Sequence, residues 1–238
     1  MKDGRVLVVG GGIASSTTTE RVDIFDPKTN VWTEAQPLKS DRASHTAALL
    51  NDGRVLVAGG ISANDRGSRP AGGDAWLYDP QTDTWTATGP MVTPRLDSAS
   101  VRLPDGRVLV SGGFTYEDPV PKIWASTEIY DPASNTWTAA ANLAQARYTH
   151  ALVLLPDGQV LAVGGARDAD YLWNGNSFVP EIERYDPAAN EWRIVGELPE
   201  PRAFATATLL PDGRVWLAGG RNDTTSFSDT WLIGAHVE

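Results

Sequence analysis

The fold is decided by a nine-residue stretch, Asp52-Gly53-Arg54-Val55-Leu56-Val57-Ala58-Gly59-Gly60, which recurs along the chain with small changes. In each copy an Asp-Gly pair is followed by an apolar run and then by a glycine doublet. The copies start at Asp3, Asp52, Asp105, Asp157 and Asp212. Self-similarity at a regular period is typical of a repeat architecture. Each copy therefore marks one structural unit of a repeated fold.

A second block lies between successive copies and reads aromatic-Asp-Pro-x-x-Asn/Asp-x-Trp. It contains Phe25 to Trp32, Tyr78 to Trp85, Tyr130 to Trp137 and Tyr185 to Trp192. An arginine follows each tryptophan by 10 residues and precedes the next Asp-Gly pair by 10. Only the interval from the glycine doublet to Asp-Pro varies, at 15, 19, 18 and 21 residues. A fixed scaffold with one variable loop per repeat is typical of a binding surface.

The fixed parts predict four short strands per repeat. Apolar runs such as Thr46 to Leu50 precede the last four Asp-Gly pairs, so the first two strands form a hairpin, for which we expect a type I′ turn. The glycine doublet ends the second strand, the Asp-Pro pair closes the third, and the tryptophan lies in the fourth. Four antiparallel strands in about 50 residues describe a propeller blade. We expect one all-β domain over residues 1–238, with repeats of about 1–41, 42–94, 95–146, 147–201 and 202–238.

These marks resemble the Kelch repeat family, in particular its bacterial-type members. The family pattern is a glycine doublet after an apolar strand, then a tyrosine, then a tryptophan at fixed offset, with an arginine opening the next repeat. The doublets here are Gly59-Gly60, Gly112-Gly113, Gly164-Gly165 and Gly219-Gly220, preceded by Gly10-Gly11-Gly12. The resemblance implies a Kelch-type β-propeller of about five blades and covers nearly the whole chain.

The outermost repeats depart from the pattern. The first begins at the Asp3-Gly4 turn, and the last ends after Trp231-Leu232-Ile233 without an Asp-Pro and tryptophan block. We expect a first blade that lacks its first strand and an incomplete last blade, as in a fragment or a shortened ring. Unpaired sheet edges would favour self-association.

Composition excludes several classes of protein. The chain has 238 residues, no cysteine, 9 tryptophans and a net charge of −10. Without cysteine there is no disulfide framework, thiolate metal site or cysteine nucleophile. The absence of cysteine does not decide the compartment, and we slightly favour a secreted or cell-surface location over the cytoplasm. The acidic charge argues against nucleic-acid binding, and no apolar run approaches the length of a membrane helix.

Repeat equivalence places Arg42, Arg95, Arg147 and Arg202 at one radius around the propeller axis. The resemblance implies that they lie on the face of the variable loops. A ring of guanidinium groups suits carboxylate ligands, because each group is a planar fork of donors. The alternative is that each arginine pairs with an acid or carbonyl of a neighbouring blade.

The variable loops carry further candidate ligand-binding residues: Phe114, Tyr116 and Trp124 in the third, and Arg167, Tyr171 and Trp173 in the fourth. Exposed aromatic side chains on one face are typical of binding hot spots. Alternatively, they pack the loops onto their own blades. The repeat tryptophans Trp32, Trp85, Trp137 and Trp192 are expected between blades.

The sequence gives no set of catalytic or metal-ligating residues, so we predict no catalytic residue, metal or cofactor. His45 and His150 occupy one repeat position, where a structural role is expected, and no local zinc-binding pattern occurs. An enzyme would need a converging titratable pair, for example Asp97 or Glu117 with His150 or Arg147.

Three functions follow from this pattern. The favoured one is a noncatalytic binding module that presents the variable loops and the arginine ring to a protein, peptide or glycan. A carbohydrate-active enzyme resembling propeller-based sugar epimerases is the second. A structural domain of a larger cell-surface protein is the third.

Overall fold

A computed structural model describes residues 1–14, 17–62, 72–116, 121–168 and 177–234. These residues form strands, turns and irregular segments, with no helix among them. The sheets follow one another along the chain as five blades, numbered I to V, so the expected all-β, Kelch-type propeller is confirmed.

Blades II, III and IV are four-stranded antiparallel sheets in simple chain order. Blade II contains β6 (Thr46–Leu49), β7 (Val55–Ala58), β8 (Ala75–Asp79) and β9 (Thr84–Ala87). Blade III contains β10 (Ala99–Arg102), β11 (Val108–Ser111), β14 (Thr127–Asp131) and β15 (Thr136–Ala140). Blade IV contains β16 (Ala151–Leu154), β17 (Val160–Val163), β18 (Glu181–Asp186) and β19 (Glu191–Glu197).

Blades I and V have three strands each within the described residues, as expected from the outer repeats. Blade I contains β1 (Val6–Val9), β4 (Val22–Asp26) and β5 (Val31–Glu34). Blade V contains β20 (Thr206–Leu209), β21 (Val215–Ala218) and β22 (Thr230–Ile233). Two-stranded hairpins lie in the variable loops of blades I and III, formed by β2 (Gly12–Ala14) with β3 (Thr17–Thr18) and by β12 (Phe114–Thr115) with β13 (Lys122–Ile123).

The first strands of neighbouring blades contact each other, β6 with β10, β10 with β16 and β16 with β20. These strands therefore surround the propeller axis. Each blade runs outward from them, so the variable loops and the connections between blades lie at one end of the axis. We call this end the loop face, and the opposite end, which carries the Asp-Gly and Asp-Pro turns, the turn face.

The hairpins at the Asp-Gly pairs form as expected, but the predicted turn type was wrong. Gly53 has a φ of 97°, whereas Asp52 is not among the residues with positive φ. The N–H of Gly53 donates to the carbonyl of Leu50, and the N–H of Leu50 donates to the carbonyl of Arg54. This is a type I turn followed by a left-handed glycine, which fits the strand twist with only one residue at positive φ. The Asp52 carboxylate accepts from the N–H of Arg54 at 3.0 Å.

The Asp-Pro block forms the turn between the third and fourth strands of a blade. Its Asn or Asp residue adopts a left-handed conformation, with φ of 52° at Asp83 and 58° at Asn135. Asn and Asp tolerate this region better than other side chains. The same side chain accepts a hydrogen bond of 2.8 Å from the repeat tyrosine, Tyr78 or Tyr130. One polar residue thus fixes both the backbone conformation of the turn and the position of the tyrosine hydroxyl.

Hydrophobic clusters join blade I to II, II to III, III to IV and IV to V. The tryptophans expected between blades are buried in three cases, because Trp85, Trp137 and Trp192 are each 8% exposed. Trp85 also donates to the carbonyl of Gln36 in blade I at 2.8 Å. Trp32 differs, since 57% of it is exposed.

Candidate functional site

Each repeat arginine is buried on the loop face and joins two blades. The guanidinium of Arg95 donates to the carbonyl oxygens of Gly112 at 2.7 Å and Ser126 at 2.8 Å, and to the Glu128 carboxylate at 2.6 Å, all in blade III. Its backbone carbonyl accepts from the N–H of Gly60 in blade II at 3.0 Å. The same backbone contact, 2.8–2.9 Å long, recurs at Arg42, Arg147 and Arg202. We call these four residues the arginine staples.

The acidic partners of the staples take two forms. In blades III and IV, Glu128 and Glu183 are buried, with side chains 2% and 0% exposed. In blades II and V, Asp74 and Asp229 lie two residues earlier and are 47% and 44% exposed. Trp76 fills the glutamate position of blade II and donates to Asp74 at 2.9 Å. An arginine can thus keep its ion pair whether the acid is buried or half-exposed.

The staples also explain the glycine doublets. Gly59 has a φ of 70°, and a Cβ atom there would lie 2.5 Å from the carbonyl oxygen of Arg95. Gly10 and Gly164 approach the carbonyls of their arginines equally closely. Because that carbonyl also accepts an interblade hydrogen bond, it cannot move away without breaking the contact. The first glycine of the doublet is therefore required by blade packing.

Burial limits the contacts that the four staple side chains can make. The staples Arg42, Arg95, Arg147 and Arg202 are 4%, 0%, 0% and 0% exposed. Their guanidinium groups bond to acids and carbonyls, so the structure shows the alternative that the sequence left open. The partners lie in the blade that follows the arginine along the chain rather than in a neighbouring one. A role of these arginines in ligand binding stays a prediction.

A second ring of residues lies two positions after the staples. Ser44, Asp97, Thr149 and Phe204 all have positive φ, between 49° and 60°. The N–H of Asp97 donates to the carbonyl of Ser44, that of Thr149 to Asp97, and that of Phe204 to Thr149, at 2.9–3.1 Å. These four residues lie two positions before the axial strands begin, and we call them the rim. Burial raises the pKa of Asp97, and a hydrogen bond from Ser44 acts in the opposite direction.

Phe204 is the most unusual residue of the rim. A bulky side chain at a φ of 60° is uncommon, and such strain persists only where the surroundings enforce it. The hydrogen bond to Thr149 and the bridge between Ala203 and Arg221 supply that constraint. Phe204 is 49% exposed, and the guanidinium of Arg221 lies 4.6 Å from the centre of its ring. An arginine and an aromatic ring are therefore presented together on the loop face.

Sequence reasoning missed Phe204 and Arg221. The available signal was positional, because Phe204 follows a staple by two residues and Arg221 directly follows the last glycine doublet. The contact between them depends on the turn at the rim, which the spacing alone does not reveal.

The aromatic side chains of the third loop mostly pack against one another. Phe114 is 7% exposed and makes edge contacts with Tyr116 at 5.2 Å and with Tyr148 at 5.1 Å between ring centres. Trp124 is half-buried, and the Lys122 ammonium lies 4.0 Å from its ring centre. Phe114 therefore stabilises its loop, which is one of the two roles expected for these aromatics. Ligand binding by Tyr116 and Trp124 remains a prediction.

The candidate residues of the fourth loop divide into two groups. Tyr171 and Trp173 lie outside the described residues. Arg167 is exposed and lines a cleft of about 320 Å³ between blades IV and V. Phe178, Pro180 and Pro201 form apolar walls of this cleft, and the fifth loop contributes polar side chains, namely Asn222, Asp223 and Thr224. We call this cavity the IV–V cleft.

The histidines are packing residues in the described part of the chain. His150 is 7% exposed, and its Nε2 lies 2.9 Å from the hydroxyl of Ser111. Burial lowers the pKa of His150 to about 3 and that of His45 to about 4. His150 is thus held neutral and away from the loop-face surface. Glu117, considered with it as an acid–base pair, lies outside the described residues.

The described residues contain no group of three or more histidine and acidic side chains placed to hold a metal ion. In the same part of the chain, no helix is long and apolar enough to cross a membrane.

These features define a class of protein: a repeat propeller with a rigid interblade scaffold and a loop face that differs from blade to blade. Residues 1–220 match the family described as the KLHDC2/KLHL20/DRC7 Kelch-repeats domain. The chain belongs to this Kelch-repeat family.

Curated relatives agree with this assignment. Kelch-like protein 36 of Mus musculus is 28% identical over 205 residues, which are 86% of this chain and 32% of that protein. Spermatocyte protein spe-26 of Caenorhabditis elegans is 29% identical, with 95% of this chain and 38% of the relative covered. Alpha-scruin of Limulus polyphemus is 29% identical over 72% of this chain and 18% of its own length. The chain thus spans well under half the length of these relatives.

A solved structure, titled "Structure of YjhT", has a TM-score of 0.79 to this chain at 18% identity. The match covers 98% of this chain and 79% of the solved one. At this identity the likeness supports the fold alone.

Proposed function

We propose that this chain is a protein-interaction module whose partner docks on the loop face, with the IV–V cleft and the neighbouring rim as the centre of contact. The observation that carries the proposal is the position of Arg167, Arg221 and Phe204. All three are exposed or half-exposed, and they lie where the repeats differ, whereas the staples are buried. Arginine and aromatic residues are enriched at interaction hot spots.

The lining of the IV–V cleft favours a polypeptide segment as the ligand. Arg167, Asn222 and Thr224 supply donors, Asp223 supplies acceptors, and Phe178 lies against the cavity. A peptide backbone offers both donors and acceptors, and an apolar side chain would fill the walls. The two exposed arginines favour a carboxylate beside that side chain. A glycan remains the weaker proposal, because Phe178, the aromatic residue among the described residues that line the cleft, is only 6% exposed.

Selection of peptides from a random displayed library against the immobilised chain tests this proposal. We expect enrichment of sequences in which Asp or Glu neighbours an apolar residue. Binding of the enriched peptides should weaken at least tenfold, about 1.4 kcal/mol, in R167A, R221A and F204A. R214A is the matched control, because Arg214 is a half-exposed arginine of blade V on the turn face. Equal binding by all four variants, or no enrichment, would contradict the proposal.

A further inference from the structure

On the turn face, the residue before each Asp-Gly pair lies against the Asp-Gly turn of the next blade, and this residue differs between blades. In blade II it is Asn51, and a Cβ atom on Gly106 of blade III would lie 2.6 Å from the Asn51 amide. Gly106 is buried. In blade III the same position is Pro104, and Gly158 beside it is only half-buried. The turn of blade IV is therefore less well covered than the turn of blade III.

A cavity of about 500 Å³ opens beside Gly158, between blades III and IV on the turn face. It is larger than the IV–V cleft of the loop face, which has a volume of about 320 Å³. Its apolar walls are formed by Leu103, Pro104, Pro187 and Ala188. Its charged and polar lining consists of Asp105, Arg107, Asp157, Gln159 and Asp186. We call this cavity the turn cleft.

The polar contacts at the Asp-Gly turn of blade IV differ from those of the other blades. In blades I, II, III and V the turn aspartate pairs with the arginine two residues later. The equivalent residue in blade IV is Gln159, and Asp157 pairs instead with Arg184 of β18. The side chain of Gln159 donates to the Asp186 carboxylate at 3.3 Å. Blade IV thus places a neutral amide in the turn cleft where the other blades have a guanidinium.

The Asp186 carboxylate gives the turn cleft an excess negative charge. It is half-buried and accepts from the N–H groups of Ala188 at 2.8 Å and Ala189 at 3.2 Å, in addition to Gln159. These donors are all neutral. Within the described residues Asp186 forms no ion pair, whereas the other two carboxylates of the lining each pair with an arginine. A cationic group in the cleft would therefore meet a carboxylate without a counter-ion.

We propose that the turn cleft binds an extended basic segment of a partner protein. A lysine or arginine side chain of the segment contacts Asp186, and a neighbouring apolar side chain lies between Pro104 and Pro187. Charge complementarity is the argument for this occupant, and the net charge of −10 attracts a basic segment at long range. The apolar walls add the burial that an exposed ion pair lacks. The volume lies within the range of ligand-binding clefts.

Fluorescence anisotropy with labelled, end-blocked hexapeptides tests the proposal. The probe peptide alternates arginine and leucine, and its counterpart has glutamate in place of arginine. We expect the arginine peptide to bind, with an affinity that falls as salt is added, and the glutamate peptide to bind at least about tenfold more weakly.

Asp186→Asn should weaken binding of the arginine peptide at least about tenfold, because the amide can still accept the hydrogen bonds of the turn but carries no charge. Asp131→Asn is the matched control. Asp131 occupies the same repeat position in blade III and accepts from the N–H of Ala133 at 2.8 Å, but it does not line the turn cleft. We expect D131N to bind the arginine peptide as the wild type does.

Two further variants fill the turn cleft with residues that other blades carry at the same positions, so we expect both to fold. Q159R restores the repeat arginine and brings a positive charge beside Asp186. P104N introduces the side chain that covers the turn of blade III. Each should weaken binding of the arginine peptide at least about tenfold, with little change in melting temperature.

Three outcomes would overturn the proposal. The first is equal binding of the arginine and glutamate peptides, and the second is an unchanged affinity in both D186N and Q159R. The third is loss of binding in R167A or F204A but not in D186N, which would show that the peptide binds the loop face. The turn cleft lies at the opposite end of the propeller axis from the loop face, so its failure would leave the proposed partner site untouched.

Discussion

Replacing Glu128 by glutamine should destabilise the propeller strongly, although the side chain keeps its size. Glu128 accepts from the N–H of Val92 at 2.7 Å, from the N–H of Thr93 at 2.8 Å and from Arg95 at 2.6 Å. In E128Q one carboxylate oxygen becomes an NH₂ group that meets a donor, and the buried Arg95 charge loses its counter-ion. Removing one partner of a buried pair typically costs about 3–5 kcal/mol.

The matched control is Asp74→Asn in blade II, which makes the same chemical change at a half-exposed acid. Arg42 is buried, but its acidic partner is half-exposed and water can solvate it, so the loss should lie nearer the roughly 1 kcal/mol of an exposed ion pair than the cost of a fully buried one. For a chain of this size, 1 kcal/mol shifts the melting temperature by about 2–4 °C. We therefore expect a fall of about 6–20 °C for E128Q and of at most about 4 °C for D74N, measured by circular dichroism and by denaturant midpoints.

The double variant R95M/E128L distinguishes a buried charge from loss of packing. Replacing both partners by apolar residues of similar volume is often neutral or stabilising. The buried charge is removed, but the N–H groups of Val92 and Thr93 and the carbonyl of Ser126 lose a partner, so we expect the double variant to recover only part of the stability that E128Q loses. If E128Q melted no earlier than D74N, the staple pair would not be an energetically coupled buried pair, and the reasoning would be refuted.

Three further predictions concern packing and pH. His150 has a pKa of about 3 in the folded chain and about 6.5 when unfolded, so the unfolded state binds more protons between these values. Unfolding free energy from urea titrations should fall by about 2 kcal/mol for this group between pH 6.5 and 4.5, and H150Q should show a flatter profile. Gly59→Ala should lower the melting temperature far more than Gly53→Ala, because the first meets a carbonyl oxygen at 2.5 Å and the second only a lysine side chain at 3.5 Å. Equal shifts would contradict the steric argument. Trp85→Ala should cost about 3–5 kcal/mol, while Trp32→Ala, at an exposed position, should change denaturant stability by less than about 1 kcal/mol.

The parts of the fold that follow from spacing were predictable from the sequence. The Asp-Gly hairpins and the Asp-Pro turns depend on local chemistry that recurs from repeat to repeat. The type I′ turn was a wrong expectation, because an Asp-Gly pair fits two hairpin geometries, and only the structure shows that Asp52 stays outside the left-handed region. Trp32 has the same sequence context as Trp85, but Trp32 is 57% exposed because, within the described residues, no blade packs against it. The sequence pattern does not show this difference.

The candidate site was harder to predict, because a single sequence does not distinguish a residue that is repeated for blade packing from one that binds a ligand. The four staples were noticeable in the sequence because they occur at the same position of each repeat. Blade packing requires an arginine at that position. Recognition needs exposed side chains that differ between repeats, and Arg221 and Phe204 are exposed and occur in one repeat only. Turning the Arg95 guanidinium toward a ligand would break its bonds to the carboxylate and carbonyls of its own blade. The positions that every repeat shares therefore contribute to blade packing, and the positions that one repeat changes are those at which we propose that a partner binds.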